Sequence, residues 1–177
     1  MLGAVRVTPE SLEELVVRIA TQYAVPPALV KATIKQESNW DVNASRYEMH
    51  LNDSSWGLMQ VLLKTGKSVL GNDQLTIQQL IDPTTNITIG TKYLGMLWTR
   101  FGNIRDAIAA YNAGSPRLGK DGKYVNASYV DSVYRYFLMY DNLGPAASLI
   151  VTQSNPYMSL SMLGLVAVGG IFLLARR

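Results

Sequence analysis

Apolar side chains recur at three- and four-residue intervals along most of this chain, and capping residues, prolines and glycines interrupt the pattern before any stretch grows long. That rhythm commits the chain to short, packed helices. Thr8-Pro9-Glu10 supplies a cap, a first-turn proline and an acid ahead of Leu12, Leu15, Val16, Ile19, Ala20 and Tyr23. Pro26-Pro27 opens a second helix, in which Leu29, Val30, Thr33, Ile34 and Glu37 share a face. A third runs through Val61, Leu62 and Val69 to Gly71-Asn72, and a short one starts at Thr76. Asp82-Pro83 begins another that reaches Gly102, Asn103 caps one ending at Gly114, and a last holds Val130, Val133, Tyr134 and Phe137 before Gly144-Pro145. No segment sustains the period of two that a half-buried strand requires, so strands are expected to be few or absent and the fold class all-α.

Composition removes whole classes of chemistry. A chain of 177 residues with 48% hydrophobic and 16% charged residues builds one core without covalent staples. There is no cysteine, and His50 is the only histidine. A serine or cysteine hydrolase needs a positioned base, and a zinc site several imidazoles or thiolates, so neither is expected, nor any metal or cofactor. The net charge of +3 carries no basic stripe for nucleic acid, but suits a protein that lingers near an anionic polymer.

The tail reads differently from the rest. Met158 to Ala175 holds no charge and is followed by Arg176-Arg177. As a helix it would span about 27 Å, close to a bilayer's hydrocarbon thickness. The expected organisation is therefore a domain over 1–143, a linker over 144–157, a transmembrane helix over 158–175 that meets the lipid bilayer, and a basic tail at 176–177. Residues 1–8 lack the apolar run and cleavage site of a secretory signal.

Three segments carry the chemistry: Ile34-Lys35-Gln36-Glu37-Ser38-Asn39-Trp40, then Gly57-Leu58-Met59-Gln60, then Ala110-Tyr111-Asn112-Ala113-Gly114. Glu37 stands where the buried face of its helix surfaces, flanked by Ile34 and Trp40, a setting in which burial keeps a carboxyl protonated near neutral pH. Cleavage of a glycosidic bond asks for such an acid, because a sugar alkoxide leaves poorly unless the bridging oxygen is protonated. Glu-Ser alone is an ordinary helix end. The three segments in this order resemble the lytic transglycosylases of the soluble lytic type, relatives of goose-type lysozyme that cut the glycan strands of bacterial peptidoglycan.

The resemblance implies a lysozyme-like helical domain, peptidoglycan as partner and Glu37 as both acid and base. It implies that the turn holding Gly57, Met59 and Gln60 lines a saccharide groove, Gly57 by letting backbone approach the sugar and Gln60 by offering donor and acceptor to an acetamido group. Tyr111 and Asn112 would bind substrate near the acid, and Tyr129 would approach and orient it. Ser45 is the nearest match to the family's serine, across a one-residue gap and with Arg46 competing for the place. In the family the sugar's own 6-hydroxyl attacks, leaving a 1,6-anhydro-muramoyl end. A lysozyme instead uses a second carboxylate, for which Asp53 and Glu48 are the candidates, in a segment longer than the family's usual link. The readings left open are a transglycosylase, a goose-type muramidase, and a membrane-anchored wall-binding or structural protein on the same fold. A wall-cutting enzyme without a visible export signal is expected to be phage-encoded and particle-associated, held to a virion membrane by its tail beside other virion proteins.

Overall fold

The computed structural model of the protein describes residues 10–49 and 51–141. Helix α1 (Leu12–Gln22) starts at Ser11, whose hydroxyl accepts the Glu14 N–H while the Glu14 carboxylate returns to the Ser11 N–H. This reciprocal box sets the helix start, while Thr8 and Pro9 lie outside the described residues. Helix α2 (Pro27–Ser38) opens on its proline and ends where Asn39 turns left-handed at φ 52°. Then come α3 (Leu63–Leu70), α4 (Ile77–Leu80) with a Thr76–Gln79 capping box, α5 (Pro83–Phe101) capped by Asp82, α6 (Ile104–Ala113) capped by Asn103, and α7 (Ala127–Tyr140).

Helix α7 lies along α2 in the most extensive helix–helix contact among the described residues, and α5 packs on α6 and α1. Leu29, Ile34, Ile87, Leu94, Ile108, Val130 and Phe137 form the centre of the core, each at most 2% exposed. At roughly 1.5–3 kcal/mol for each fully buried Leu, Ile or Phe side chain, this packing readily carries one desolvated carboxyl between α2 and α7.

Two expectations are corrected. The domain is not all-α: residues 45–62 form an antiparallel sheet of β1 (Ser45–Glu48), β2 (Asp53–Trp56) and β3 (Val61–Leu62), in that order, with Ser45 opposite Trp56 and Trp56 opposite Val61. Val61 and Leu62 thus precede α3 as a strand. These strands are short and mostly polar, β1 exposed and β2 half-buried, so no apolar alternation marks them in the sequence. The membrane helix is the second correction: among the described residues no helix is long and apolar enough to cross a membrane, and residues 144–177, on which that expectation rests, lie outside them.

Candidate active site

A groove of about 680 Å³ runs between the sheet, the last turn of α2 and the C-terminal end of α6, and Glu37 lies in its wall. Ile34, one turn earlier, is fully buried, so the helix anchors its last turn in the core and carries Glu37 to the edge of that apolar interior. Burial pushes the Glu37 carboxyl up to about 7, against the opposing pull of a hydrogen bond from Tyr129 and of the Arg46 charge, with Glu48 adding a smaller push upward. The Tyr129 hydroxyl, in the first turn of α7, donates to Glu37 Oε1 at 2.5 Å. Tyr129 is itself held well above the usual phenol range, first by burial and then by the carboxylate beside it, so it serves as a neutral donor. Packing of α7 on α2 is what joins two residues so far apart in the chain.

The turn between β2 and β3 lies behind the groove wall: Gly57 is buried and outside the groove lining, and of the turn residues Gln60 reaches it. Gly57 adopts φ +72°, and a Cβ there would stand 2.6 Å from the Asn86 side-chain nitrogen, so this position requires glycine twice over. Asn86, fully buried on α5, takes the Met59 N–H on its Oδ1 at 2.8 Å and donates to the carbonyls of Trp56 and Leu80 at 2.8 and 3.0 Å. From the other side the Tyr111 hydroxyl donates to the Met59 carbonyl at 2.9 Å. Met59 therefore fixes the turn through its backbone, while its side chain packs in the core against Gly90 and does not line the groove. Gln60 does line it, but its amide nitrogen is engaged by the carbonyls of Ala44 and Gly57, both at 3.0 Å, and its oxygen accepts from Ser55 at 2.9 Å. Only a remaining lone pair on that oxygen is free for a ligand.

Tyr111 presents its ring to the groove, tilted against Tyr93 with centroids 5.4 Å apart, since its hydroxyl is committed to Met59. Asn112 is exposed on the same wall. Ser45 sits at the start of β1, exposed and away from the groove lining. The two further carboxylates separate. Glu48 faces the groove, paired with Arg46 two residues earlier on the same face of β1 at 2.7 Å. Asp53 lies in a different hollow beside Lys64 and Lys67 and accepts the Ser54 N–H at 2.7 Å. Among the described residues no three histidine, aspartate or glutamate side chains gather as a metal site would require.

Sequence reasoning missed Asn86, Tyr93, Arg46 and Asn126. Asn86 left a trace, an amide next to Ile87 on the apolar face of α5, where burial demands partners for all its polar atoms. Asn126 was legible only as a polar residue ahead of a helix.

The sequence model described as "Transglycosylase SLT domain" matches residues 14–132. The chain belongs to this transglycosylase family. A soluble lytic murein transglycosylase of Haemophilus influenzae is 37% identical over 114 residues, covering 59% of this chain and 18% of that relative. A transglycosylase of Enterobacteria phage PRD1 is 28% identical over 130 residues, covering 73% of this chain and 44% of the phage protein. The crystal structure of the 70 kDa soluble lytic transglycosylase of Escherichia coli superposes with a TM-score of 0.62 at 26% identity, over 86% of this chain and 26% of that one. The chain thus spans about a fifth of the length of the Haemophilus relative. The transglycosylase SLT domain accounts for the fold from α1 into α7, including every groove element described above.

Proposed function

We propose that the protein is a peptidoglycan lytic transglycosylase that cuts the β-1,4 bond between N-acetylmuramic acid and N-acetylglucosamine. The observation that carries this reading is a carboxyl, Glu37, raised by burial to about 7 at the wall of a saccharide-sized groove and held by the neutral donor Tyr129. In the proposed reaction Glu37 gives its proton to the bridging oxygen as the anomeric C–O bond breaks. The resulting carboxylate then takes the proton of the muramoyl 6-hydroxyl, whose oxygen bonds to the anomeric carbon and closes the 1,6-anhydro ring. Glu37 ends protonated, as it began. Tyr129 orients the carboxyl and, by donating to it, stabilises the carboxylate formed midway. The ring faces of Tyr111 and Tyr93 and the amide of Asn112 provide the sugar contacts, and Gln60 lines the wall on the turn that Gly57 makes possible.

A second reading, hydrolysis by a muramidase, rests on Glu48, which shares the groove with Glu37. Its ion pair with Arg46 favours the single-acid route, because the guanidinium engages Glu48 Oε1, an oxygen that activation of a water would use. Mass spectrometry of fragments released from purified peptidoglycan separates the two: anhydro-muramoyl ends support the transglycosylase and reducing ends the muramidase. We also propose that the enzyme opens the wall for a phage particle, a use supported by the likeness to the phage transglycosylase. Immunodetection in purified particles is the expected result, and its absence there would remove this role.

A further inference from the structure

The position of one side-chain amide dictates what the groove accepts at its α6 wall. Asn126 immediately precedes α7, where an asparagine ordinarily caps the helix, yet its side chain makes no capping bond. Its nitrogen lies 3.1 Å from the Ala109 carbonyl oxygen and 2.9 Å from the Asn112 side-chain oxygen. A carbonyl oxygen only accepts, so the Asn126 atom facing Ala109 must be its NH2 group. Since that same NH2 faces Asn112, the Asn112 atom toward it must in turn be oxygen. Reversing the Asn126 amide would set two acceptors against each other. It would also leave an unpaired donor where Asn126 Oδ1 now lies buried without a partner, and an orphaned N–H is less tolerated than an orphaned carbonyl.

The site of Asn126 is fixed from outside the groove as well. The segment after Gly114 folds back, with Leu118 bridged to Tyr124 and the Val125 N–H donating to the Arg117 carbonyl at 3.0 Å. Tyr124 then donates to Asp106 on α6 at 2.7 Å. Asn126 follows directly on this pinned loop.

We infer that Asn126 is a positioning residue that locks the Asn112 amide so that only its NH2 faces the groove, making this wall a donor site that selects an acceptor on the glycan, of the class of an acetamido carbonyl oxygen. The inference rests on the glycan-binding reading above. Asn112 then presents its two N–H donors to substrate, and a substituent offering only an N–H toward them is disfavoured because two donors meet.

The test has two parts on the full chain. In 15N-labelled protein the Asn126 side-chain NH2 is expected to exchange slowly with solvent and to shift on Asn112→Ala; exchange as fast as an exposed amide would overturn the locking. In the kinetics of peptidoglycan fragment release, Asn126→Ala is expected to raise KM about fivefold, the effect of roughly one hydrogen bond, with kcat unchanged. Added to Asn112→Ala it should do nothing further. Asn126→Asp, which turns the donor into an acceptor and lets Asn112 reverse, is expected to raise KM more than Asn126→Ala does. Additive effects of the two alanine substitutions, or a loss confined to kcat, would overturn the proposal. If the wild-type chain releases no fragments, the enzymatic reading fails, while the NH2 signals still decide whether the amide is locked.

Discussion

Glu37 and Glu48 line one groove, yet the first comes from the helical frame and the second from the hairpin, and the difference decides their chemistry. Glu37 projects from the last turn of a helix whose preceding face is buried, between α2 and α7, with a hydrogen bond from Tyr129. Burial there holds the proton on. Glu48 ends an exposed strand beside an arginine that balances its charge. One residue type in one groove holds its proton toward neutral pH in the first place and is half of an ion pair in the second. The packing behind a carboxyl, more than its presence in a groove, fits it for proton transfer.

The comparison breaks most severely at Glu37. Glu37→Gln keeps the shape and the Tyr129 contact but removes the proton, and peptidoglycan release is expected to fall about 10³-fold, within the usual span for a general acid. Glu48→Gln is expected to cost less than about threefold; equal losses at both positions would erase the distinction.

Next in size is the frame itself. Asn86→Ala strands the Met59 N–H and the Trp56 and Leu80 carbonyls, and is expected to lower stability by about 2–3 kcal/mol, read by denaturant unfolding. Asp53→Asn, at the start of β2 and outside the core, should change unfolding by less than about 0.5 kcal/mol.

The buried acid also writes a pH dependence into stability. The folded-state pKa of Glu37, about 7, is above the ordinary 4.5, so between these values the folded protein binds more protons than the unfolded chain. Stability therefore falls as pH rises through this window, and the penalty is complete above pH 7. Glu37→Gln is expected to be more stable than wild type at pH 8, by on the order of 3 kcal/mol, with the gain vanishing below pH 4.5. Thermal unfolding across this range checks the sign.

A smaller effect than that of Glu37 itself is expected at Tyr129. Tyr129→Phe removes a donor that favours the carboxylate, so the pH above which activity declines should move upward while the rate drops roughly tenfold, the cost of one charge-assisted hydrogen bond. A downward shift would mean that the hydroxyl favours the protonated acid.

The helices and the three motif segments were legible because their signals are local. Caps, prolines and three-residue spacing put Glu37 at a helix end and Tyr111 and Asn112 in a last turn. The hairpin was not, because its strands are too short and too polar to show alternation. What the turn residues do was hidden for another reason. Gln60 and Met59 spend their polar groups on Ala44, Gly57, Asn86 and Tyr111, partners up to 52 residues away, and no local pattern shows how a hydrogen-bond donor is used. Asn86 and Asn126 escaped notice because their value comes from the carbonyls that folding brings to them.

The most direct test of a helix-buried acid set apart from its neighbours is a 13C NMR titration of the glutamate side-chain carboxyls, with Glu37→Gln to assign the signal. A midpoint near 7 for Glu37 is predicted, and a midpoint near the ordinary 4.5 would contradict the account, leaving Glu37 ionised at neutral pH and without a proton to give.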